Sequence, residues 1–212
     1  MTEDDDFMAY TLEEGSWLVS LSRRAAQEYL KSRIRIEPPP DTPSRLRENA
    51  GAFVTIRSYP EGELQGCIGR PEPVLPLVEA VIDSAIDSSC HDPRFEPLEP
   101  ERLESCTFEV SILTRPTLLV VNNPLEYRSR VVVGRDGLIV EWSQGAGLLL
   151  PQVPVEEKWD VDTFLAYACM KAGAHPDYWL LGEAKLYTFQ AEVFAEDTPR
   201  GKVTKRSLEG KG

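Results

Sequence analysis

Apolar residues recur at helical spacing in three segments of this 212-residue chain. The first segment, residues 12–34, follows Thr11, which fits a capping box with the glutamate three residues later. The second segment follows Pro76, and the third, "VDTFLAYACMKAG", is capped by Asp160 or Asp162. We therefore predict three helices that each pack one apolar face against a core.

Alternating apolar and polar positions predict strands between these helices. A hairpin is predicted by "GAFVTIRSY" and "ELQGCIG", and a half-buried strand by "SCTFEVSIL". A second hairpin, turning at Asp136-Gly137, is predicted by "RVVVGRDGLIVEW". One further strand is predicted by "LLLPQV" and a last one by "AKLYTFQAEVF". Helices and strands therefore occur in mixed order along the chain.

The stretch "LQGCIGR" places a cysteine between two glycines. Glycine has no side chain beyond hydrogen and leaves room for a backbone or a ligand to approach. The stretch can therefore leave the thiol of Cys67 accessible to a ligand. Strand alternation predicts that Gln65 shares the face of Cys67, while Leu64 and Ile68 lie on the other face. Alternatively, the glycines form a tight bend in which the cysteine fills space as a small apolar residue. The residues singled out here are Gln65, Gly66, Cys67 and Gly69.

Charge and composition exclude several function classes. The net charge of −12 opposes broad binding to nucleic acid, which depends on lysine and arginine neutralising phosphates. No apolar run approaches the roughly 18 residues of a membrane span, and the acidic N-terminus does not resemble a secretory signal. We therefore expect a cytoplasmic protein that binds neither nucleic acid nor a membrane.

The four cysteines are far apart and form no Cys-x-x-Cys pair, which argues against a disulfide framework and against a zinc site. The chain also lacks a glycine-rich phosphate-binding motif, so we predict no metal and no cofactor. Residues 1–11 are predicted to form an acidic tail. The basic segment 197–212 is predicted to be disordered because it contains few apolar residues.

Several short motifs together resemble the AMMECR family. They occur in the order "LQGCIG", "DPRF", "EVSIL", "GRDGLIV", "LLPQV" and "FLAYACMKAG". The resemblance implies a single α+β domain over residues 12–196, with antiparallel sheets, packed helices and two unequal lobes with a cleft between them. The larger lobe would combine the N- and C-terminal parts, and the smaller lobe would come from the middle. The family motif usually has arginine where this chain has Gln65.

The family resemblance implies no established activity. Relatives joined to Memo-like and radical S-adenosylmethionine domains suggest a protein partner of one of these types, and a place in a modification pathway. The resemblance also places the cysteine loop near the cleft between the lobes.

An enzyme built around this loop would use Cys67 as a nucleophile, and a thiol needs a nearby cation or base to react at neutral pH. His91 is the candidate base, and Glu109 a carboxylate that orients it. The other candidate groups around the ligand are Gln65, Gly66, Gly69, Arg94, Gln152 and Lys171. Among these, Arg94 or Lys171 would supply the cation and Gln152 an amide donor.

The alternative to an enzyme is a binding or adaptor module that recognises a small molecule or a peptide in the same cleft. Several candidates also have purely structural interpretations. Arg94 can form an ion pair with Asp92 that holds the loop together, and Glu109 can face water. The distance from the thiol to a base distinguishes the two classes, because catalysis needs a base within about 2.6–3.2 Å or through one water.

Overall fold

The computed structural model describes residues 9–207. It contains five helices: α1 (Leu12–Ser32), α2 (Leu77–Cys90), α3 (Tyr127–Arg130), α4 (Gln152–Glu156) and α5 (Val161–Lys171). The strands are β1 (Gly51–Ser58), β2 (Leu64–Arg70), β3 (Cys106–Leu113), β4 (Thr117–Leu118), β5 (Gly137–Trp142), β6 (Gly145–Leu149), β7 (Lys185–Phe189), β8 (Ala191–Glu196) and β9 (Val203–Arg206). The predicted α+β class with antiparallel sheets is confirmed.

The described chain divides into two compact units. The first unit contains the residues up to Thr114 together with Glu192–Arg206. Its sheet has the strand order β2-β1-β3-β8-β9, and β1 pairs antiparallel with both β2 and β3. Helices α1 and α2 pack against this sheet and share one apolar core with it.

The second unit, Arg115–Ala191, contains a four-stranded sheet in the order β4-β7-β5-β6. Helix α5 packs against β5 and β6 and contributes Phe164, Leu165, Ala168 and Cys169 to the core of this unit. Asp160 caps α5 by accepting a hydrogen bond from the N–H of Thr163 at 2.8 Å. Each helix within residues 9–207 is too short or too polar to cross a bilayer.

The three predicted helices are present, and so is the β1–β2 hairpin. Helix α1 begins with the predicted capping box, in which Thr11 Oγ1 accepts from the N–H of Glu14 at 3.1 Å and Glu14 Oε2 accepts from the N–H of Thr11 at 2.8 Å. The apolar face predicted for α2 is buried against β1 and β2. Helical periodicity is therefore a reliable guide in these segments.

The hairpin predicted at Asp136-Gly137 is wrong. Residues 133–135 form a turn, and the hairpin instead joins β5 to β6. Asp136 is buried and its Oδ2 accepts a hydrogen bond from the N–H of Val132 at 2.9 Å. The N–H of Val132 is therefore used by the Asp136 side chain and is not available to a neighbouring strand. The β-branched residues before Asp136 accordingly form no strand pairing.

Three further expectations about strands need correction. The strand predicted by "LLLPQV" is only partly present, because β6 ends at Leu149 and α4 begins at Gln152. The predicted last strand is two strands, β7 and β8, which belong to different sheets. The segment from residue 197 is not disordered as far as it is described, because Val203–Arg206 form β9 and pair with β8. Backbone pairing stabilises β9 even though the segment is polar. Residues 208–212 of the predicted tail lie outside the described residues.

The predicted acidic tail is residues 1–11. Residues 1–8 of it lie outside the described residues. Its last part belongs to the folded chain, because Tyr10 is buried in the first core. The N–H of Tyr10 also donates to Glu192 Oε2 at 2.6 Å.

A buried ion pair joins α1 to β8. Arg23 and Glu196 side chains are each 5% exposed, and Arg23 also donates to the carbonyl oxygens of Leu103 and Cys106. Glu196 Oε2 accepts from the N–H of Phe108 at 3.0 Å. The pair therefore connects α1, β3 and β8 through hydrogen bonds in the interior of the first unit.

Candidate functional site

Cys67 lies in the middle of β2, which is an edge strand of its sheet. It is directly opposite Thr55 of β1, whose hydroxyl donates a hydrogen bond to Cys67 Sγ at 3.3 Å. The backbone N–H and C=O of Cys67 point to the free edge of the strand, where they meet Asp92 and Arg94. The edge is therefore closed at Cys67 by side chains instead of a further strand.

Asp92 and Arg94 form a clasp on the backbone of Cys67. Asp92 Oδ2 accepts from the N–H of Cys67 at 2.9 Å, and Arg94 Nη2 donates to the carbonyl oxygen of Cys67 at 3.0 Å. The two side chains also bind each other, with Arg94 Nε at 2.9 Å from Asp92 Oδ1 and Nη2 at 2.6 Å from Oδ2. Asp92 is buried and Arg94 is 42% exposed, so the clasp has one end in the interior and one in solvent.

The loop that carries this clasp begins where α2 ends. Asp92 Oδ1 also accepts from the backbone N–H of Arg94 at 3.1 Å, which closes an Asx turn. Leu98 anchors the loop in the core, whereas Phe95, the aromatic residue of the "DPRF" motif, is only half-buried. The arginine side chain lies over the Phe95 ring, with Arg94 Cζ at 5.3 Å from the ring centroid.

The two glycines beside Cys67 are explained by packing. A Cβ on Gly66 would lie 1.9 Å from the carbonyl oxygen of Ser88, because α2 packs directly on β2 at this position. A Cβ on Gly69 would lie 2.3 Å from Cγ of Phe53. The glycines therefore admit a helix backbone and an aromatic ring, and they do not serve to uncover the thiol.

A β-bulge changes the predicted facing of β2. The register pairs Gly66 with Ile56 and Leu64 with Arg57, which leaves Gln65 as the extra residue. Since Arg57 and Thr55 share a face of β1, Leu64 lies on the face of Cys67, contrary to the alternation expected from the sequence. The side chain of Gln65 accepts a hydrogen bond from Arg102 Nη2 at 3.1 Å.

Glu109 shares the face of the thiol. It lies on β3 directly opposite Thr55, and residues that face each other across antiparallel strands point to the same side. Its side chain is only 6% exposed and its Oε2 lies 3.3 Å from Nε of Arg206 on β9. The alternative that Glu109 faces water is therefore wrong. We refer to Thr55, Cys67, Asp92, Arg94 and Glu109 together as the Cys67 site.

Electrostatics at the Cys67 site favour a neutral thiol and an ionised Asp92. Burial raises the pKa of the Cys67 thiol, and the Thr55 hydrogen bond and the Arg94 charge oppose this effect without cancelling it. Burial also acts to raise the pKa of Asp92. Hydrogen bonds from the Arg94 side chain and from the backbone of Cys67 outweigh it, and the pKa of Asp92 lies below its ordinary value.

The remaining predicted site residues are His91, Gln152 and Lys171. His91 is exposed at the end of α2, where its Nδ1 lies 2.9 Å from Asp87 Oδ1 and its ring meets the edge of Tyr29 on α1. No hydrogen bond joins His91 to Cys67 within residues 9–207. Gln152 and Lys171 belong to the second unit, at the first position of α4 and the last of α5.

Residues 9–207 contain no group of three or more histidine, cysteine, aspartate or glutamate side chains that could hold a metal ion. All four cysteines are free thiols. Cys106 and Cys169 are buried in the cores of the first and second unit.

The family model described as AMMECR1 matches residues 19–194, which is most of the chain. The chain belongs to the AMMECR1 family. An AMMECR1-family relative from Thermofilum pendens is 52% identical over 205 residues, covering 93% of this chain and 96% of that protein. Protein PH0010 from Pyrococcus horikoshii is 52% identical over 200 residues, covering 92% of this chain and 96% of its own length.

A solved structure supports the AMMECR1 fold. The crystal structure of PH0010, described as an uncharacterized protein from Pyrococcus horikoshii, matches with a TM-score of 0.89 and 50% sequence identity. The match covers 92% of this chain and 97% of that chain. The similarity therefore extends over the described fold, and the function has to be argued from the site.

Sequence reasoning missed the role of Thr55 and undervalued Asp92. Arg57 pairs with Leu64 next to the turn, so counting from the turn alone places Gly66 opposite Thr55, and only the bulge at Gln65 brings Cys67 to that position. The sequence indicates Asp92 only as a partner for Arg94 in a turn. Its contact with the N–H of Cys67 depends on how α2 packs against β2, and no local pattern predicts that packing.

Proposed function

We propose that the Cys67 site of this AMMECR1-family protein recognises a small molecule or a peptide without using the thiol as a nucleophile. The observation that supports this most directly is the surroundings of the thiol. The thiol accepts a hydrogen bond from the hydroxyl of Thr55 and interacts with the Arg94 side chain, yet burial still raises the pKa of the thiol. A thiol nucleophile needs a base or a lowered pKa, and the candidate base His91 binds Asp87 instead.

The arrangement of the other groups suits recognition. Arg94 is half-exposed and is held in one orientation by Asp92 and the Cys67 carbonyl, which reduces the entropy lost when it binds a ligand. A site of fixed polar groups beside a neutral sulfur can select a ligand by shape and charge.

A cysteine-dependent enzyme is the second candidate. It is favoured by the charge of Arg94, which acts to lower the pKa of the Cys67 thiol and would stabilise a thiolate. Glu109, buried on the same face, would then orient a reacting group.

The deciding experiment is the pH dependence of alkylation of Cys67 by iodoacetamide in the folded protein. A Cys90→Ser background removes the other half-buried thiol. We expect the rate to rise only above the ordinary thiol pKa of about 8.5. It should stay below that of the same cysteine in the urea-unfolded chain. An apparent pKa well below about 8.5 would refute recognition by a neutral thiol and support the enzyme.

A second experiment measures the change in melting temperature of the native protein and of a Cys67→Ser variant when each member of a small-molecule and peptide library is added. A recognition site predicts hits that bind both proteins, because Ser keeps the size and a hydrogen-bonding group. Hits that bind only the native protein and form covalent adducts would support the enzyme.

A protein partner of Memo-like or radical S-adenosylmethionine type is part of this proposal, since such a protein would supply a peptide ligand. The support for this partner comes from the family resemblance alone. The test is direct binding of a purified candidate partner to the native chain, compared with an Arg94→Gln variant.

A further inference from the structure

Two arginine side chains bind residues of β2 that lie close together in the strand. Arg94 Nη2 binds the carbonyl oxygen of Cys67 at 3.0 Å, and Arg102 Nη2 binds Oε1 of Gln65 at 3.1 Å. Residues 65 and 67 are two positions apart on the strand, a separation of about 7 Å or less. One arginine comes from the loop after α2 and the other from the helical turn Pro100–Ser105, so two different segments each supply an arginine to this part of β2.

Both guanidinium groups keep donors that the described protein does not use. Arg94 binds Asp92 and the Cys67 carbonyl through Nε and Nη2, and its side chain also interacts with the Cys67 sulfur, which leaves the remaining N–H donors of the half-exposed group. Arg102 makes a single side-chain hydrogen bond in the same part of the chain, and no carboxylate pairs with it. A guanidinium group presents five N–H donors in a planar fork that matches the oxygens of a carboxylate or a phosphate.

The local charge also differs from that of the whole chain. Within residues 9–207, the charged side chains hydrogen-bonded to residues 65–67 are those of Arg94, Arg102 and Asp92. The nearby Glu109 carboxylate is paired with Arg206, so these five groups together carry one net positive charge. The chain as a whole carries a net charge of −12. An anionic group bound here would be attracted by the nearby cations and would neutralise this excess.

We propose that Arg94 and Arg102 together bind an oxyanion, a carboxylate or a phosphate group, of the ligand recognised at the Cys67 site. This inference rests on the proposed recognition function and specifies the class of ligand. Asp92 acts as a positioning residue, because it holds the Arg94 fork in place and does not itself contact the anion.

The test uses the full chain labelled with ¹⁵N and follows the backbone amide of Cys67 and the Nε–H of Arg94 by NMR. The probes are inorganic phosphate and acetate, each titrated at pH 7 with sodium chloride adjusted to constant ionic strength. We expect saturable shifts of both signals with at least one probe, and the probe that binds more tightly identifies phosphate or carboxylate as the preferred group.

Arg102→Gln is the main variant, because Arg102 is exposed and lies outside the clasp, so the fold should tolerate the change. It should raise the Kd for the preferred probe at least about fivefold, since it removes one of two cations. Arg24→Gln is the matched control, an exposed arginine on α1 that makes no hydrogen bond within the described chain, and it should leave the Kd unchanged.

Shifts no larger than those caused by sodium chloride would overturn the inference, and so would equal effects of Arg102→Gln and Arg24→Gln. A neutral library ligand that shifts the Cys67 amide equally in the native protein and in Arg102→Gln would overturn the oxyanion inference while supporting recognition at this site. If no ligand of any charge shifts that amide, recognition at the Cys67 site fails as well.

Discussion

Replacing Asp92 with alanine should destabilise the protein by about 2–4 kcal/mol. Its carboxylate accepts hydrogen bonds from the N–H of Cys67 at 2.9 Å and from the N–H of Arg94 at 3.1 Å, besides its contacts with the guanidinium group. Hydrogen bonds to charged groups contribute about 1.5–3 kcal/mol each. Water can reach the exposed Arg94 after the change, so the larger part of the loss comes from the half-buried N–H of Cys67.

The free energy of unfolding can be measured by urea denaturation followed by circular dichroism. Asp162→Ala is the matched control, because Asp162 binds Arg128 through Nε and Nη2 in the same bidentate manner but both side chains are nearly half-exposed. We expect the control to lose less than about 1 kcal/mol. Hydrogen exchange at the Cys67 amide should accelerate in Asp92→Ala only. Equal losses in the two variants would refute the role assigned to the clasp.

The same interaction predicts a pH dependence. The pKa of Asp92 is lower in the folded protein than in the unfolded chain, so the ionised form stabilises the fold. Its contribution is complete above the ordinary aspartate pKa of about 3.9 and is lost as the pH falls from there towards the folded-state pKa. The stability difference between native protein and Asp92→Asn should therefore be constant near neutral pH and shrink below about pH 4. A difference that persists unchanged at lower pH would contradict this reasoning.

Three further substitutions test the packing around the site, all by urea denaturation. Gly66→Ala should cost at least about 3 kcal/mol, because the new Cβ would lie 1.9 Å from the carbonyl oxygen of Ser88. Glu196→Gln should cost about 3–5 kcal/mol, because it leaves the buried Arg23 without its counter-charge. Ser84→Ala should stabilise the protein by about 1 kcal/mol, because the buried hydroxyl makes no hydrogen bond within residues 9–207.

Gly62→Ala is the control for the glycine substitution. Gly62 has a positive φ of 76°, and a Cβ on this residue would have no neighbouring atom within 4 Å, so only backbone strain of about 1–2 kcal/mol is expected. A loss at Gly66 no greater than at Gly62 would show that α2 can move away from β2. A tolerated Glu196→Gln, or a destabilising Ser84→Ala, would likewise contradict the contacts described for those side chains.

The sequence determined the elements whose signals are local. Helical periodicity and the capping box at Thr11 predicted α1 because both depend on residues within a few positions of each other. The β1–β2 hairpin was predicted for the same reason, whereas the pairing of Thr55 with Cys67 also depends on the bulge at Gln65. The motif resemblance predicted the family, which the match over residues 19–194 confirms.

The tertiary structure decided which of these residues form a site. The packing of α2 on Gly66 brings Asp92 to the backbone of Cys67, and the bulge at Gln65 resets the faces of β2. Pairing with β8 orders β9, although its sequence is polar. These features depend on contacts between residues far apart in the chain. The free energy that stabilises each contact depends on both contacting segments, so neither segment's own sequence predicts it. The sequence around Cys67 therefore predicted a strand whose thiol is either accessible or packed in a tight bend. The packing of α2 and the following loop against that strand half-buries the thiol, which raises its pKa, and leaves Arg94 exposed.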